Sequence, residues 1–352
     1  MHDRIDLPWH MTLEAPGRIG REAHAPQPLG PGEVRLRTLY SGISAGTEMT
    51  AFLGTNPYLN RRWDPAARVF VEGGTSLSYP MPAMGYEEVG RVAEVGAEVT
   101  RVRPGDVVWG AWRHRTEHVA DEAWAAARVL PDGVDPRLGI FSQIGSIALN
   151  AILDADIHLG ETVAVFGQGV PGLMVTELAA LSGATVIAVD RLPARLARAT
   201  AHGARHVVNG AEEDAALRVK ALTEGRGADV TIEITGSAAA LHEAIRATAY
   251  NSRVVACGFF QGGAAALRLG EEFHHNRIEL RCSQISGVPR ALDHRWSRER
   301  LGRTVMGLLA EGRVDWGRLI SHVVPASRAQ EAFEMLRDRP EDCLQVVLDF
   351  SA

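Results

Sequence analysis

The stretch that most constrains what this chain can fold into is residues 163–190, VAVFGQGVPGLMVTELAALSGATVIAVD. Its opening, 163–166, is an uninterrupted apolar run, the pattern of a parallel strand buried on both faces. The composition predicts a helix over 173–182, with Gly183 placed as its C-terminal cap, and a second apolar strand over 185–189 that ends on Asp190. Between first strand and helix lie Gly167, Gln168, Gly169, Val170, Pro171 and Gly172, the GxGxxG spacing. The first glycine permits a tight turn, the second lets backbone approach a diphosphate, and the third lets helix pack close to strand. Unpaired N–H groups at the helix start complete an anion site, so a dinucleotide is the expected ligand. Asp190 is placed to accept bonds from ribose hydroxyls and to repel a 2′-phosphate, which favours NAD over NADP. Arg191 works against that preference, since an arginine there is able to meet the phosphate.

Composition narrows the remaining classes. At 352 residues the chain suits two domains rather than one core, and 46% apolar with 23% charged residues is ordinary for a globular protein. A net charge of −6 carries no basic footprint, which argues against a nucleic-acid partner. No unbroken run of roughly 18 apolar residues occurs, and the N-terminal stretch MHDRIDLPWHM has no apolar signal core, so no membrane partner and a cytoplasmic location are expected. Cys257, Cys282 and Cys343 show no CxxC spacing and are expected to act as small buried hydrophobes, not as zinc ligands.

Taken in order, the chain opens β-rich, with strand alternation over 33–40, then a small-residue loop, YSGISAGTE, at 40–48. Residues 54–80 read as a long irregular surface excursion. Two or three strands follow over 82–110, with Arg103-Pro104-Gly105-Asp106 as a turn, and then a helical pattern over 136–155. Beyond Asp190, helices are expected at 193–202, 212–223 and 238–249, and strands at 205–208, 229–234, 252–258 and 277–285. That alternation describes a doubly wound parallel sheet. A tail with helices at 297–311 and 327–337 and strands at 320–324 and 343–350 either extends that sheet or returns to the first domain.

Four segments, GISAGTE at 42–48, GYEEVGRVAEVGAEVTRVRPGDVV at 85–108, VAVFGQGVPG at 163–172 and VVACGFF at 254–260, resemble the medium-chain dehydrogenase/reductase superfamily, in the family's own order along nearly the whole chain. The resemblance implies an α/β architecture: a GroES-like catalytic domain over 1–152, completed by 290–352, and a Rossmann domain over 153–289. It also implies a homodimer through the Rossmann edge strand at 277–285. The departures are specific. Zinc members carry a Cys near 45, a His after the glycine at 85, and a Cys or Glu near 143, where this chain has Ala45 or Ser44, Tyr86 and Gln143. The stretch WGAWRHRTEHVADEAW, where the structural-zinc lobe belongs, has no Cys. No metal is therefore expected, and the GISxGTE loop resembles a zinc-lacking subgroup of bacteriochlorophyllide dehydrogenase-like and sugar or cyclitol dehydrogenase-like proteins.

The implied activity is an NAD-dependent, zinc-independent oxidoreductase acting on a secondary alcohol of a sugar, cyclitol or polyol. Two alternatives stay open: an NADPH-dependent quinone or enone reductase, and a dinucleotide-binding protein without catalysis. Without zinc, hydrogen-bond donors must stabilise a developing alkoxide. Tyr86 either does so or fills the space zinc leaves; Thr47 matches the family's proton-relay hydroxyl. Glu48 and Glu87 are base, orienting group or ion-pair partners, and Gln143 either bonds a second hydroxyl or caps the helix. His114, His118, His274, His275, His294 and His322 are further candidate bases, each as readily structural. For the cofactor, Thr235 and Gly236, and Cys257, Gly258 and Phe259, lie at strand ends where ligand-contacting loops belong, and Arg191 and Arg195 flank the adenine.

Overall fold

The computed structural model describes residues 7–82 and 84–351; the first six residues of the N-terminal stretch, Ala83 and Ala352 lie outside them. The chain forms two compact units, one from residues up to Gln143 and from Met306 onward, the other from Ile144–Val305.

In chain order the first unit holds β1 (Trp9–Ala15), β2 (Arg18–Ala23), β3 (Glu33–Ile43), α1 (Glu48–Phe52), β4 (Arg62–Asp64), β5 (Val69–Val71), β6 (Glu88–Val95), β7 (Val107–Gly110), β8 (Glu117–Asp121) and α2 (Glu122–Ala126). α3 (Phe141–Ala155) carries the chain into the second unit. It follows a 3-10 turn, and together Pro136–Ala155 are long and apolar enough to cross a membrane by composition, yet most of this stretch is buried inside the protein, as in a core helix.

β3 is the hub of the first unit, pairing antiparallel with β6 and β8. It runs on to Ile43 instead of giving way to a loop at Tyr40, because Ser41, Gly42 and Ile43 still pair with a strand near the C-terminus, opposite Leu348, Val347 and Val346. Only 44–47 remain as the expected small-residue loop. The excursion at 54–80 is likewise less irregular than expected: β4 and β5 form a hairpin in which Trp63 and Phe70 rings meet at 5.0 Å. Over 82–110 there are two strands, β6 and β7, because the chain between them closes the Pro104-Gly105 turn, with Gly105 N–H bonded to the Val92 carbonyl at 2.9 Å.

The second unit continues with β9 (Thr162–Phe166), α4 (Val170–Leu181), β10 (Thr185–Asp190), α5 (Pro193–Ala201), β11 (His206–Asn209), α6 (Ala215–Leu222), β12 (Ala228–Glu233), α7 (Ala238–Ala247), β13 (Thr248–Ala256), α8 (Glu272–His275) and β14 (Glu279–Cys282). Its sheet runs β11-β10-β9-β12-β13-β14 with every pairing parallel. That is the doubly wound order in which the strand sequence reverses beside the first strand. α4 begins at Val170, three residues before the apolar periodicity places it, because Pro171 sits in the first turn, where its missing N–H costs no helical bond. β14 is shorter than 277–285, since only Glu279–Cys282 pair with Arg253–Ala256. The cysteines are not uniformly buried: Cys343 is, Cys257 is half-buried, and Cys282 on β14 is exposed.

α9 (Arg298–Ala310) leads back to the first unit, which ends with β15 (Ile320–Pro325), α10 (Ala329–Asp338) and β16 (Gln345–Asp349). β15 and β16 extend the first unit's sheet to β15-β16-β3-β6-β7, so the tail belongs to that sheet and not to the parallel one.

Candidate functional site

In the second unit, a cleft of about 840 Å³ opens at the C-terminal ends of β9, β10, β11 and β12, where the strand order reverses. Gly167, Asp190, Arg191, Arg195 and Thr235 all line it. Gly167 turns the chain at φ +101°, a conformation in which a side chain is strained. A Cβ on Gly172 would collide with the Gly167 carbonyl, whereas one on Gly169 would meet open space. The third glycine therefore serves packing and the second leaves room for a ligand. No side chain caps α4, and its first N–H groups have no intrahelical partner, the arrangement that receives a phosphate. Pro171 has no N–H to give and shapes the turn only. The Gln168 side chain turns inward, donating to the Val165 carbonyl at 3.0 Å and accepting from the Thr176 hydroxyl at 2.9 Å. Its backbone N–H is taken by Asp190, so Gln168 braces the turn and does not line the cleft.

The Asp190 carboxylate accepts N–H bonds from Gln168 (2.7 Å), Arg191 (2.7 Å) and Leu192 (2.9 Å). It thereby locks the glycine turn to the end of β10, with lone pairs remaining for a ribose diol. The opposite wall rests on Glu233, a residue the apolar reading of β12 passes over. This buried carboxylate accepts the Thr235 N–H (2.7 Å), the Thr235 hydroxyl and the Gly236 N–H (3.2 Å). Its carbonyl receives Cys257 N–H (2.8 Å) and Gly258 N–H (3.0 Å). Burial raises the Glu233 carboxyl above its ordinary range. Thr235 reaches the cleft, while Gly236, Cys257, Gly258 and Phe259 do not line it; Gly236 packs against the Gly258 and Phe259 backbone. Asp214, Glu243 and Arg246 also line the cleft, Arg246 bridging the two acids at 2.9 and 2.8 Å.

In the first unit, Ser44 and Tyr86, at two positions where zinc members carry ligands, gather with Thr47 in a hydroxyl cluster. Gly85, at φ +96°, turns the chain so that the Tyr86 phenol meets the Ser44 hydroxyl and donates to Thr47 Oγ1 at 3.4 Å. Burial and the neighbouring Glu87 raise the phenol well above its ordinary value, against the pull of Ser44 and Thr47, so Tyr86 remains a proton donor through the neutral range. Glu87 is 1% exposed. One oxygen accepts from Gln345 Nε2 at 3.1 Å, and the other has no partner among the described residues. Burial, with Glu48 and Glu88 alongside, pushes this carboxyl well above its usual range. Gln143 is half-buried in the first turn of α3 and is not among the residues bonded in this cluster.

Glu48 points elsewhere. One of its oxygens accepts the Ser44 N–H at 2.8 Å, and the other meets His114 Nε2 at 2.7 Å. His114 Nδ1 lies 2.6 Å from Ser41 Oγ, which donates to Glu88 at 3.0 Å. Of the candidate histidines only His114 enters this cluster. His118 stacks on Trp112 and is lowered to about 4 by burial and Arg115, which leaves it a neutral packing residue. His274, His275 and His294 are exposed, and His322 bonds the neighbouring Ser321.

This donor set does not fit tetrahedral zinc, which takes thiolate, imidazole or carboxylate. Ala45 or Ser44, a protonated Tyr86 and Gln143 supply none of them. Among the described residues, only His242, Glu271 and Glu272 in the second unit bring three such side chains close enough to share an ion, and there Arg268 already donates to His242 at 2.9 Å.

Comparison with known proteins gives the same frame. A family model described as zinc-binding dehydrogenase matches residues 171–298. D-Guloside 3-dehydrogenase of Escherichia coli is 29% identical over 326 residues, covering 90% of this chain and 93% of that protein. L-Threonine 3-dehydrogenase of Pyrococcus horikoshii is 28% identical over 348 residues, covering 90% and 91%. Among solved structures, an E. coli oxidoreductase of unknown specificity superposes with TM-score 0.78 at 22% identity, covering 97% of this chain and 99% of that one. The alcohol dehydrogenase of Thermus sp. ATN1 superposes with TM-score 0.73 at 25% identity, covering 97% and 99%. A GroES-like sheet completed by the tail, a doubly wound sheet with its glycine turn, and relatives aligned along nine-tenths of the sequence together support the medium-chain dehydrogenase/reductase superfamily.

Proposed function

We propose that this protein is a zinc-independent, NAD-dependent dehydrogenase that oxidises a secondary alcohol on a sugar, cyclitol or related polyol. The observation that carries the reading is the hydroxyl cluster of Ser44, Thr47 and Tyr86 in place of a zinc-ligand set. A bound NAD supplies the nicotinamide ring that accepts the hydride. The chain supplies the rest. Asp190 and the α4 start hold the ribose and diphosphate, and the Asp190 charge disfavours a 2′-phosphate. Tyr86, kept protonated, would donate to the oxygen on which alkoxide charge develops, and half-buried Thr47 would pass the hydroxyl proton on to solvent water. The 3-dehydrogenase relative that acts on a guloside supports a ring hydroxyl of a glycoside as the oxidised group.

The test is to incubate chelator-treated protein with NAD⁺ and a panel of glycosides, cyclitols and open-chain polyols while following absorbance of the reduced cofactor. Turnover on a ring alcohol that survives chelation is expected; turnover that returns only on adding zinc overturns the reading. Arg191 and Arg195 in the same cleft favour a second reading, an NADPH-dependent reductase of quinones or activated alkenes. Tighter quenching of tryptophan fluorescence by NADPH than by NADH would select it.

A further inference from the structure

His114 is fully buried, with a carboxylate within reach on either side. The hydrogen-bond network offers an acceptor to each ring nitrogen. Ser41 Oγ, whose one proton is directed at Glu88, lies 2.6 Å from Nδ1, and burial raises the Glu88 carboxyl that receives it. Glu48 accepts the Ser44 N–H on one oxygen and presents the other to Nε2 at 2.7 Å. An imidazole that donates from both nitrogens is an imidazolium. Burial draws the ring below its ordinary value, but the Glu48 and Glu88 carboxyls outweigh that and leave it raised.

The backbone is shaped to hold the ring there. Arg113, just before it, sits at φ +73°, a left-handed conformation that is unusual for a non-glycine residue and persists only where the surroundings impose it. His114 N–H donates to the Met84 carbonyl at 2.8 Å, and its own carbonyl receives Met11 N–H at 2.8 Å. Its ring presses on Gly85, where a Cβ would come within 2.7 Å of Cε1. Imidazole, Gly85 and Glu48 therefore meet directly behind Tyr86 and Ser44.

We propose that His114 is a positioning residue for the reaction: a built-in cation that, through Glu48, fixes the Ser44 loop against Tyr86, at positions where zinc members of the resembled family carry metal ligands. The inference rests on the dehydrogenase reading for its catalytic consequence. His114 does not relay the substrate proton, because the link from Glu48 to Ser44 runs through a backbone N–H and not through an exchangeable hydroxyl. In the proposed reaction Tyr86 meets the developing oxyanion, and His114 acts only through Glu48 and the Ser44 loop that packs against Tyr86.

The experiment uses the full chain labelled with ¹³C-histidine, the His114 resonance being identified by its loss in His114→Gln or, should that variant fail to fold, in His114→Asn. The imidazolium shift is expected to persist above pH 7, beyond the range in which a surface histidine titrates. A neutral imidazole at pH 7 overturns the proposal whatever the activity. In kinetics on the best alcohol, His114→Gln is expected to lower kcat on the order of tenfold or more, the weight of a lost charge-assisted bond, with NADH affinity and KM for NAD⁺ unchanged. The paired variant Glu48→Gln/His114→Gln, which keeps neutral amide bonding, is expected to recover part of that loss. Wild-type kcat and pH profile in His114→Gln also overturn the proposal. If the wild-type protein oxidises no alcohol, the dehydrogenase reading fails, and the titration alone then decides whether His114 is the cation of the cluster.

Discussion

The glycine turn of the second unit and the polar cluster of the first are built by opposite means. The turn is a backbone device: its strand, glycines, helix and closing Asp190 all lie between Thr162 and Asp190, and its anion site consists of N–H groups that any sequence with those glycines presents. The cluster is a side-chain device, drawing Ser41 from β3, Glu48 from α1, Glu88 from β6, His114 from the segment before β8 and Gln345 from β16, the last 258 residues from its partner Glu87. A backbone device fails when atoms no longer fit. A side-chain device fails when a charge or proton is removed, and the backbone can survive that. Substitutions in the two regions should therefore break different measurements.

The largest effect belongs to the turn. Gly172→Ala puts a methyl group onto the Gly167 carbonyl, backbone against backbone, with no flexible group to yield. We expect loss of NADH binding together with a drop in melting temperature, the signature of an overpacked core, worth about 1–3 kcal/mol or more. Gly169→Ala is the control inside the same turn: its Cβ meets open space at φ −72°, so melting should stay within a degree or two while NADH affinity falls. Equal melting losses in both variants would show that the second glycine is structural and that the turn is not shaped around a diphosphate.

Next comes Tyr86→Phe, which removes one hydroxyl from the cluster and leaves the ring. A lost donor to a developing oxyanion costs about 10²–10³ in kcat. Stopped-flow NADH binding and melting should both be close to wild type, since nothing in the parallel sheet changes. A kcat within threefold of wild type would reduce Tyr86 to a space-filling residue. Asp190→Ala ranks below it: loss of a charged acceptor is worth about 1.5–3 kcal/mol, so NADH should weaken on the order of tenfold or more while NADPH weakens less. Unchanged relative affinity for the two cofactors would remove Asp190 from the selection between them.

What the sequence makes legible follows the same division. The alternation from β9 to β12 is readable because these strands carry apolar cores and the turns between them carry glycine or proline, whereas α8 goes unread and β14 is the mixed stretch ELRC. Legibility ends where pairing across the chain decides. β3 extends to Ile43 only because β16 arrives to bond it, and nothing near Ile43 announces a strand some 300 residues away. Glu233 sits at the end of an apolar strand, where a charged residue was itself the signal, though its role in bracing Thr235 and Gly236 needs the loop after β13 to be in place. His114 was visible only as one histidine among six candidates. Its local sequence, WRHRTEH, reads as an exposed basic run, and only the carboxylates of Glu48 and Glu88 distinguish it from His118 four residues on.

The smallest effect is also the one that bears most directly on the expectation that no metal sits here. Burial and the carboxyls of Glu48 and Glu88 push Glu87 well above its ordinary range in the folded protein, whereas in the unfolded chain it ionises at about pH 4.3. The folded state then keeps a proton that the unfolded state releases, so stability is lost as pH rises from the unfolded value through the folded one, and below the unfolded value the group contributes no difference. Glu87→Gln has no proton to lose and retains an oxygen to accept from Gln345. Its melting temperature should match wild type near pH 4.5 and exceed it by a few degrees toward pH 8, about 2–4 °C for each kcal/mol in a domain of this size. Scanning calorimetry across that range separates two pictures of the cluster. A gap that widens with pH means a neutral carboxyl, whose unpartnered oxygen carries a proton. A variant that is instead less stable than wild type, increasingly so at high pH, means that Glu87 is ionised, and a buried carboxylate with a bare oxygen requires a cation facing it. Only that second outcome would restore a place for a metal beside Tyr86.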